Sequence, residues 1–137
     1  MTHSTDKVQI KDYSFIKYID EFEISALVRR LSNQIEAHYE VLPLFLPVLN
    51  GAYIFMADLS RELQRDHRVE FIKYQSYDGM ESKGLKASIS IPEDKVIGQH
   101  ICIVEDIVDR GHTLDKLRKE LQILGAKQVD CVTAFYK

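Results

Sequence analysis

The chain has 137 residues, a length that fits one domain with a hydrophobic core of its own. Its 18 basic and 21 acidic residues are well mixed and leave a formal net charge of −3, so nothing indicates a nucleic-acid or anionic-membrane partner. The chain opens without the pattern of a signal peptide, and no apolar run approaches the ~20 residues that a membrane span requires.

The two cysteines are predicted to be structural. Cys102 and Cys131 lie in apolar, strand-like runs, where a free cysteine behaves as a small buried hydrophobe. Neither has a second cysteine or a histidine at metal-ligand spacing, so no zinc site is predicted. We expect a reducing compartment, the cytoplasm.

The start of the chain predicts a loose segment followed by a helix. Residues 1–13 are polar and are expected to be loose. Asp20 and Glu23 have the spacing of a capping box, which predicts that a helix begins there. One helical face is then apolar: Ile24, Leu27, Val28, Leu31 and Ile35.

The middle of the chain alternates between predicted strands and helices. Residues 41–49 predict a buried strand, although Pro43 and Pro47 place part of it at a sheet edge or a bend. A helix is predicted over residues 52–63 and a second strand over residues 69–74.

The last third of the chain continues this alternation. A loop with glycine and serine covers residues 76–84, and the apolar run 101–104 predicts a third strand. Gly125 is a predicted helix C-cap, and residues 129–136 predict a last strand. The leucines of the intervening helix lie at helical spacing: Leu114, Leu117 and Leu121. Strands separated by helices predict an α/β fold, a doubly wound and mostly parallel sheet, in a single domain over residues 1–137.

Three carboxylates follow the most apolar strand. Ile101–Val104 run directly into Glu105 and Asp106, and Asp109 comes three positions later. A run of this kind is typical of a strand buried on both faces. Open α/β sheets bind ligands at the carboxyl ends of their strands, so these carboxylates are candidate site residues.

The turn after these carboxylates has the features of an anion site. Gly111 and Thr113 precede an amphipathic helix, and the free N–H groups of a helix start favour a phosphate. Carboxylates beside a phosphate cradle suit a ribose phosphate, whose hydroxyls donate to the acids. The alternative is an acidic strand-to-helix turn that caps its own helix.

Three segments resemble the 6-oxopurine phosphoribosyltransferases. Val104–Leu114 (VEDIVDRGHTL) is similar to their loop for phosphoribosyl pyrophosphate (PRPP), and Asp109 points to the hypoxanthine/guanine branch. Leu46–Leu59 resembles the pyrophosphate-binding strand, loop and helix. Phe71–Tyr77 resembles the strand that leads to the mobile active-site loop. The similarity covers residues 14–137 and implies the type I phosphoribosyltransferase core fold.

The resemblance assigns roles to the acidic loop. Glu105 and Asp106 would bind the ribose hydroxyls, directly or through the water shell of a Mg²⁺ ion, the implied cofactor. Asp109 would be catalytic, close to N7 of the purine. The 5′-phosphate would be bound by Asp109, Arg110, Gly111, His112 and Thr113.

The resemblance also assigns residues outside this loop. Asn50 and Gly51 would bind pyrophosphate, with a cis peptide bond before Asn50. Ser76 and Tyr77 would belong to the mobile loop that closes over PRPP. Lys137 would read the exocyclic O6 of the purine. The alternatives are, respectively, an ordinary strand-to-helix turn, an ordinary surface loop and a solvated lysine.

The chain departs from the family pattern in two places. Arg110 stands where the family generally has Thr or Ser; its charge could strengthen a phosphate site, or its bulk could crowd the loop. In addition, no segment resembles the C-terminal hood that stacks on the purine. We therefore expect the PRPP half of the site and little of the base half.

The implied function is purine salvage, the transfer of phosphoribose from PRPP to hypoxanthine or guanine, which yields IMP or GMP and pyrophosphate. The alternatives are a non-catalytic regulatory protein of the same fold that binds PRPP or nucleotides, and an inactive core fragment. The resemblance also implies a homo-oligomer, a dimer or tetramer. Tyr18, Phe22 and Tyr53 are candidates for its interface or for the core.

Overall fold

A five-stranded parallel sheet organises the chain in the computed structural model, which describes residues 7–74 and 89–137. The elements in chain order are β1 (Val8–Ile10), β2 (Tyr13–Phe15), α1 (Glu21–His38), β3 (Leu44–Leu49), α2 (Ala52–Glu62), β4 (Arg68–Val69), β5 (Ile72–Lys73), β6 (His100–Val108), α3 (His112–Ile123) and β7 (Gln128–Tyr136). The strand order is β4-β3-β6-β7, and β5 also pairs with β3. All of these pairings are parallel.

Helices cover both faces of the sheet, which confirms the doubly wound α/β prediction. The alternation of side chains along a strand sends neighbouring residues to opposite faces. On β6, Cys102 and Val104 pack in one apolar cluster with α1 and α2, whereas Ile101 and Ile103 pack in a second cluster with α3. Ile101, Ile103 and Val104 are completely buried. The sheet therefore separates two apolar layers, and β6 contributes to both.

Helix α1 begins as the sequence predicts. Asp20 accepts a hydrogen bond from the Glu23 amide at 2.8 Å, and the Glu23 carboxylate accepts one from the Asp20 amide at 2.9 Å. Both halves of the capping box are thus present. Val28 and Ile35 are buried, but Ile24 is not, because the apolar face leaves the core at the first turn of the helix.

The segment before α1 is more regular than the polar sequence suggests. Strands β1 and β2 form an antiparallel hairpin in which Val8 pairs with Phe15. Every residue of the hairpin is exposed. The hairpin is held by main-chain pairing and buries no side chain, and the alternation of apolar and polar residues in Val8–Ile10 and Tyr13–Phe15 could have indicated its strands.

Pro47 was predicted at an edge or a bend, but it lies in a central strand. β3 has β6 on one side, where Pro47 is opposite Val104, and β4 and β5 on the other. β4 pairs with Leu44 and Phe45, and β5 pairs with Val48 and Leu49, so Pro47 falls at the gap between them. Proline has no N–H to donate, which agrees with the division of one predicted strand into two short ones.

A polar cluster connects the end of α1 to the first residues of β6 and β7. Asp130 on β7 accepts a hydrogen bond from the Tyr39 hydroxyl at 2.7 Å and contacts the His100 ring nitrogen at 2.8 Å. Cys102 is buried nearby, as predicted, whereas Cys131 is exposed. The prediction for Cys131 was wrong: its side chain is exposed, although those of Val129 and Val132 on the same strand are buried. No helix in the described ranges is long and apolar enough to cross a membrane.

Candidate active site

The two adjacent carboxylates lie within β6, not beyond its end as the sequence indicated. β3 pairs with β6 as far as Val104, whereas β7 continues to pair with β6 as far as Val108. After Val104, β6 therefore loses its neighbour on one side. Glu105 and Asp106 are half-buried at this opening, and the core holds the strand that carries them. This is the carboxyl edge of the sheet, where ligands of α/β proteins bind.

Glu105 is perturbed by its surroundings. Burial raises the pKa of its carboxyl from 4.5 to about 7, and the charge of Asp106 adds to the shift. Both causes disfavour the charged form. A cation or a hydrogen-bond donor at this position would reverse the shift, so the pair is suited to a ligand that supplies positive charge or hydroxyl groups.

Two helices begin at this edge of the sheet without side-chain caps. Gly51 is the N-cap of α2 and Gly111 is the N-cap of α3, and neither helix start has a side-chain capping hydrogen bond. The contrast is with α1, which has a complete capping box. Gly111 has a φ of 76°, a left-handed conformation that favours glycine. The first amide groups of a helix then remain available to an anion.

The acidic loop encloses one cavity of about 590 Å³. It brings together six of the predicted site residues: Glu105, Asp109, Arg110, Gly111, His112 and Thr113. Four more of the described residues line it and were not predicted as site residues: Ile107, Val108, Leu114 and Lys116. The cavity therefore combines carboxylates, cations and a helix start. These groups are suited to bind a polyol that carries a phosphate. Sequence spacing could have indicated Lys116, which is four positions after His112 on one helix.

The second predicted loop lies directly against the acids. A Cβ added to Gly51 would be 2.8 Å from Asp106 Oδ1 and 3.0 Å from Oδ2. A side chain at residue 51 would therefore force the Asp106 carboxylate to shift. The peptide bond between Leu49 and Asn50 is cis, as the resemblance implied. The loop at Asn50 and the end of β6 thus form one continuous surface.

The remaining predicted residues are not all placed. Ser76 and Tyr77 lie outside the described residues. Lys137 is exposed, and its amide donates to the carbonyl oxygen of Val108 at 2.9 Å, so the residue lies beside the acidic loop. Thr133, which the sequence did not single out, is opposite Glu105 in the register. Its hydroxyl donates to the Phe135 carbonyl at 2.9 Å.

Comparisons with known proteins agree with this geometry. Residues 18–137 match the model of the phosphoribosyl transferase domain family. The hypoxanthine phosphoribosyltransferase of Escherichia coli is 36% identical over 124 residues, which are 87% of this chain and 69% of that protein. The hypoxanthine-guanine phosphoribosyltransferase of Bacillus subtilis is 32% identical, and the match covers all of this chain and 72% of that protein.

A solved structure has the same fold. The crystal structure of a hypoxanthine-guanine phosphoribosyltransferase from Bacillus anthracis superposes with a TM-score of 0.71 at 31% identity. The match covers 92% of this chain and 71% of that one.

The raised pKa of Glu105 leads to a prediction about stability. Between pH 4.5 and about 7, Glu105 is protonated in the folded protein but ionised in the unfolded chain. The free energy of unfolding therefore falls as the pH rises through that range. We expect Glu105→Gln to raise the free energy of unfolding of the ligand-free protein by about 1–2 kcal/mol at pH 8 and by much less at pH 4.5. Denaturant titrations at several pH values would measure the difference. A pH-independent difference would contradict the prediction.

The contact between Gly51 and Asp106 leads to a second prediction. Gly51→Ala should destabilise the fold by about 1–3 kcal/mol, because its methyl group overlaps the carboxylate. The matched control is the same change in an Asp106→Ala background, where the carboxylate is gone and the added methyl group should cost nothing. Thermal unfolding of the four proteins gives the coupling energy. Equal costs in both backgrounds would show that the contact is not the cause.

Proposed function

Because this chain belongs to the phosphoribosyltransferase family, in its 6-oxopurine branch, we propose that it catalyses purine salvage from PRPP. The phosphoribosyl group is transferred to N9 of hypoxanthine or guanine, and the products are IMP or GMP and pyrophosphate. We assign the phosphoribosyltransferase core domain to residues 1–137.

One observation carries the proposal. Two helices with glycine N-caps and no capping side chain begin on either side of Glu105 and Asp106. PRPP has a phosphate at the 5′ position, a pyrophosphate at the 1′ position and two hydroxyl groups between them. The arrangement offers a helix start for each phosphorylated end and acceptors for the hydroxyl groups in the middle. A turn that merely caps its own helix would account for one of these helix starts, but not for both.

Different residues of the acidic loop bind different parts of PRPP. Glu105 and Asp106 accept hydrogen bonds from the 2′- and 3′-hydroxyl groups of the ribose. The amide groups from Gly111 to Thr113 bind the 5′-phosphate, and the guanidinium of Arg110 adds positive charge to the same subsite. At the other end, the Asn50–Gly51 loop binds pyrophosphate, and its direct contact with Asp106 sets the spacing between the two subsites.

A divalent cation fits this donor set. No group of three or more His, Cys, Asp or Glu residues in the described part of the chain could hold a metal, but Mg²⁺ is commonly bound by one or two carboxylates together with substrate oxygens and water. Glu105 and Asp106 would hold it, directly or through water. When bound, the ion supplies charge neutralisation for the departing pyrophosphate.

Fewer residues are proposed to contact the purine base. Asp109 lies at the mouth of the cavity, exposed, and is proposed to accept a hydrogen bond or proton from N7 as N9 attacks C1′. Lys137 is proposed to donate to O6. Ser76 and Tyr77 are proposed to belong to a loop that excludes water from the reaction. The exposed position of Asp109 agrees with a group that meets its partner only when the base is bound.

The reaction itself gives the decisive experiment. With hypoxanthine, PRPP and Mg²⁺, we expect IMP formation, and we expect Asp109→Asn to lower kcat by about 10²-fold while PRPP binding is retained. The measurement is IMP formation together with the rise in Tm that PRPP causes. If the wild-type chain binds PRPP without turnover, the regulatory or core-fragment alternative is correct. If it does neither, the site assignment is wrong.

We also propose that the chain assembles as a homo-oligomer through its N-terminal segment. Four aromatic side chains are exposed between the hairpin and the start of α1: Tyr13 (70%), Phe15 (51%), Tyr18 (92%) and Phe22 (77%). At about 200 Å² each they leave roughly 600 Å² of surface exposed. A stable interface buries about 800 Å² per partner. Residues 7–24 contain three basic and four acidic residues, a balance that suits a self-complementary contact rather than an anionic surface.

The two free cysteines favour the cytoplasm as the compartment.

Association should depend on this segment. Sedimentation equilibrium up to about 100 µM should show a dimer or larger species for the wild type, with weaker association for Tyr18→Asp/Phe22→Asp. The matched control is Ile123→Asp, which changes a side chain that is equally exposed (84%) but lies at the end of α3. A monomeric wild type, or an equal effect of the control, would refute the proposed interface.

A further inference from the structure

The described residues that line the cavity at the acidic loop carry a nearly balanced set of charges. Glu105 and Asp109 contribute carboxyl groups to its wall, and Arg110 and Lys116 contribute cations. If Lys116 played no part, two acids would face one base. The described side chains of the cavity would then carry more negative than positive charge, for which the start of α3 and Arg110 compensate in part when a phosphate dianion enters. The ammonium group of Lys116 offsets the negative charge of Glu105 and Asp109.

The geometry of α3 directs Lys116 towards the phosphate loop. Lys116 lies three positions after Thr113 and four after His112, so the three residues share one face of the helix. Long side chains in a helix point back towards its N-terminus and cover the preceding turn. For Lys116 that turn contains the amide groups proposed to bind the 5′-phosphate.

The same helix has a lysine that provides a contrast. Lys119 forms an ion pair with Asp115 at 2.8 Å, and neither residue lines the cavity. Lys119 follows Lys116 by three positions and is also exposed. The two lysines thus share residue type, helix and solvent exposure, and differ in whether they face the site.

We propose that Lys116 is a further 5′-phosphate-binding residue of this protein, a role that rests on the proposed function. Its ammonium group binds the phosphate opposite the helix amides and Arg110. The 5′-phosphate subsite then has two cations from the chain itself, and it selects phosphorylated ribosyl compounds over their dephosphorylated forms.

Calorimetric titration of the full chain tests this role with two ligands. Ribose 5-phosphate has the 5′-phosphate alone, whereas PRPP, added with Mg²⁺, has both phosphorylated ends. We expect Lys116→Met to weaken the binding of each ligand about tenfold, the effect of losing one charge-assisted hydrogen bond at an exposed site. Lys119→Met should change neither affinity by more than about twofold. Lys116→Arg, which keeps the charge, should restore most of the binding. An unchanged Tm would show that the variants remain folded.

The outcomes separate this inference from the proposed function. If the wild type binds PRPP and Lys116→Met binds both ligands equally well, the inference is wrong and the proposed function stands. A loss for PRPP alone would place Lys116 at the pyrophosphate and overturn the 5′-phosphate assignment. An equal loss of affinity in Lys119→Met would show that the effect comes from net charge alone. That result would also overturn the 5′-phosphate assignment. If the wild type binds no PRPP, both proposals fail together.

Discussion

Strand β6 has to be a buried core strand along its first half and the carrier of two carboxylates along its second half. The apolar half holds the sheet together, because Ile101 and Ile103 face one helical layer and Cys102 and Val104 face the other. This rigidity is what places Glu105 and Asp106 accurately, since site residues on strands are held more firmly than those on loops. The consequence is a carboxyl group at the boundary of the core, with its pKa raised by burial.

The glycines of the site follow from the same constraint. At the start of α2, a side chain at residue 51 would overlap the Asp106 carboxylate in its present position. On the other side of β6, Gly111 turns the chain from the strand into α3 through a left-handed conformation. Both helices therefore begin without the hydroxyl or carboxylate that caps an ordinary helix. A phosphorylated ligand can take the place of those caps, so binding would also stabilise the fold.

Much of the framework could be predicted because local patterns coincide with tertiary demands. The capping box at Asp20, the apolar run of β6 and the glycines near residues 51 and 111 are each recognisable within a few positions. The features that were placed wrongly are those whose surroundings depend on tertiary neighbours. Pro47 is accommodated in a central strand because the neighbouring strand is interrupted beside it. Cys131 is exposed although Val129 and Val132 on the same strand are buried, and the apolar pattern of that strand does not distinguish the three residues.

The sequence by itself determined the alternation of helices and strands from α1 onwards, the family and the cluster of acidic and glycine residues, because periodicity and motif spacing are properties of neighbouring residues. Only the tertiary structure decided how far β6 continues past β3 and that Asp106 lies against the start of α2. These relations depend on strand register and on side chains that meet across the sheet. Gly51 and Asp106 are far apart in the sequence, and at such a separation spacing along the chain carries no information about distance.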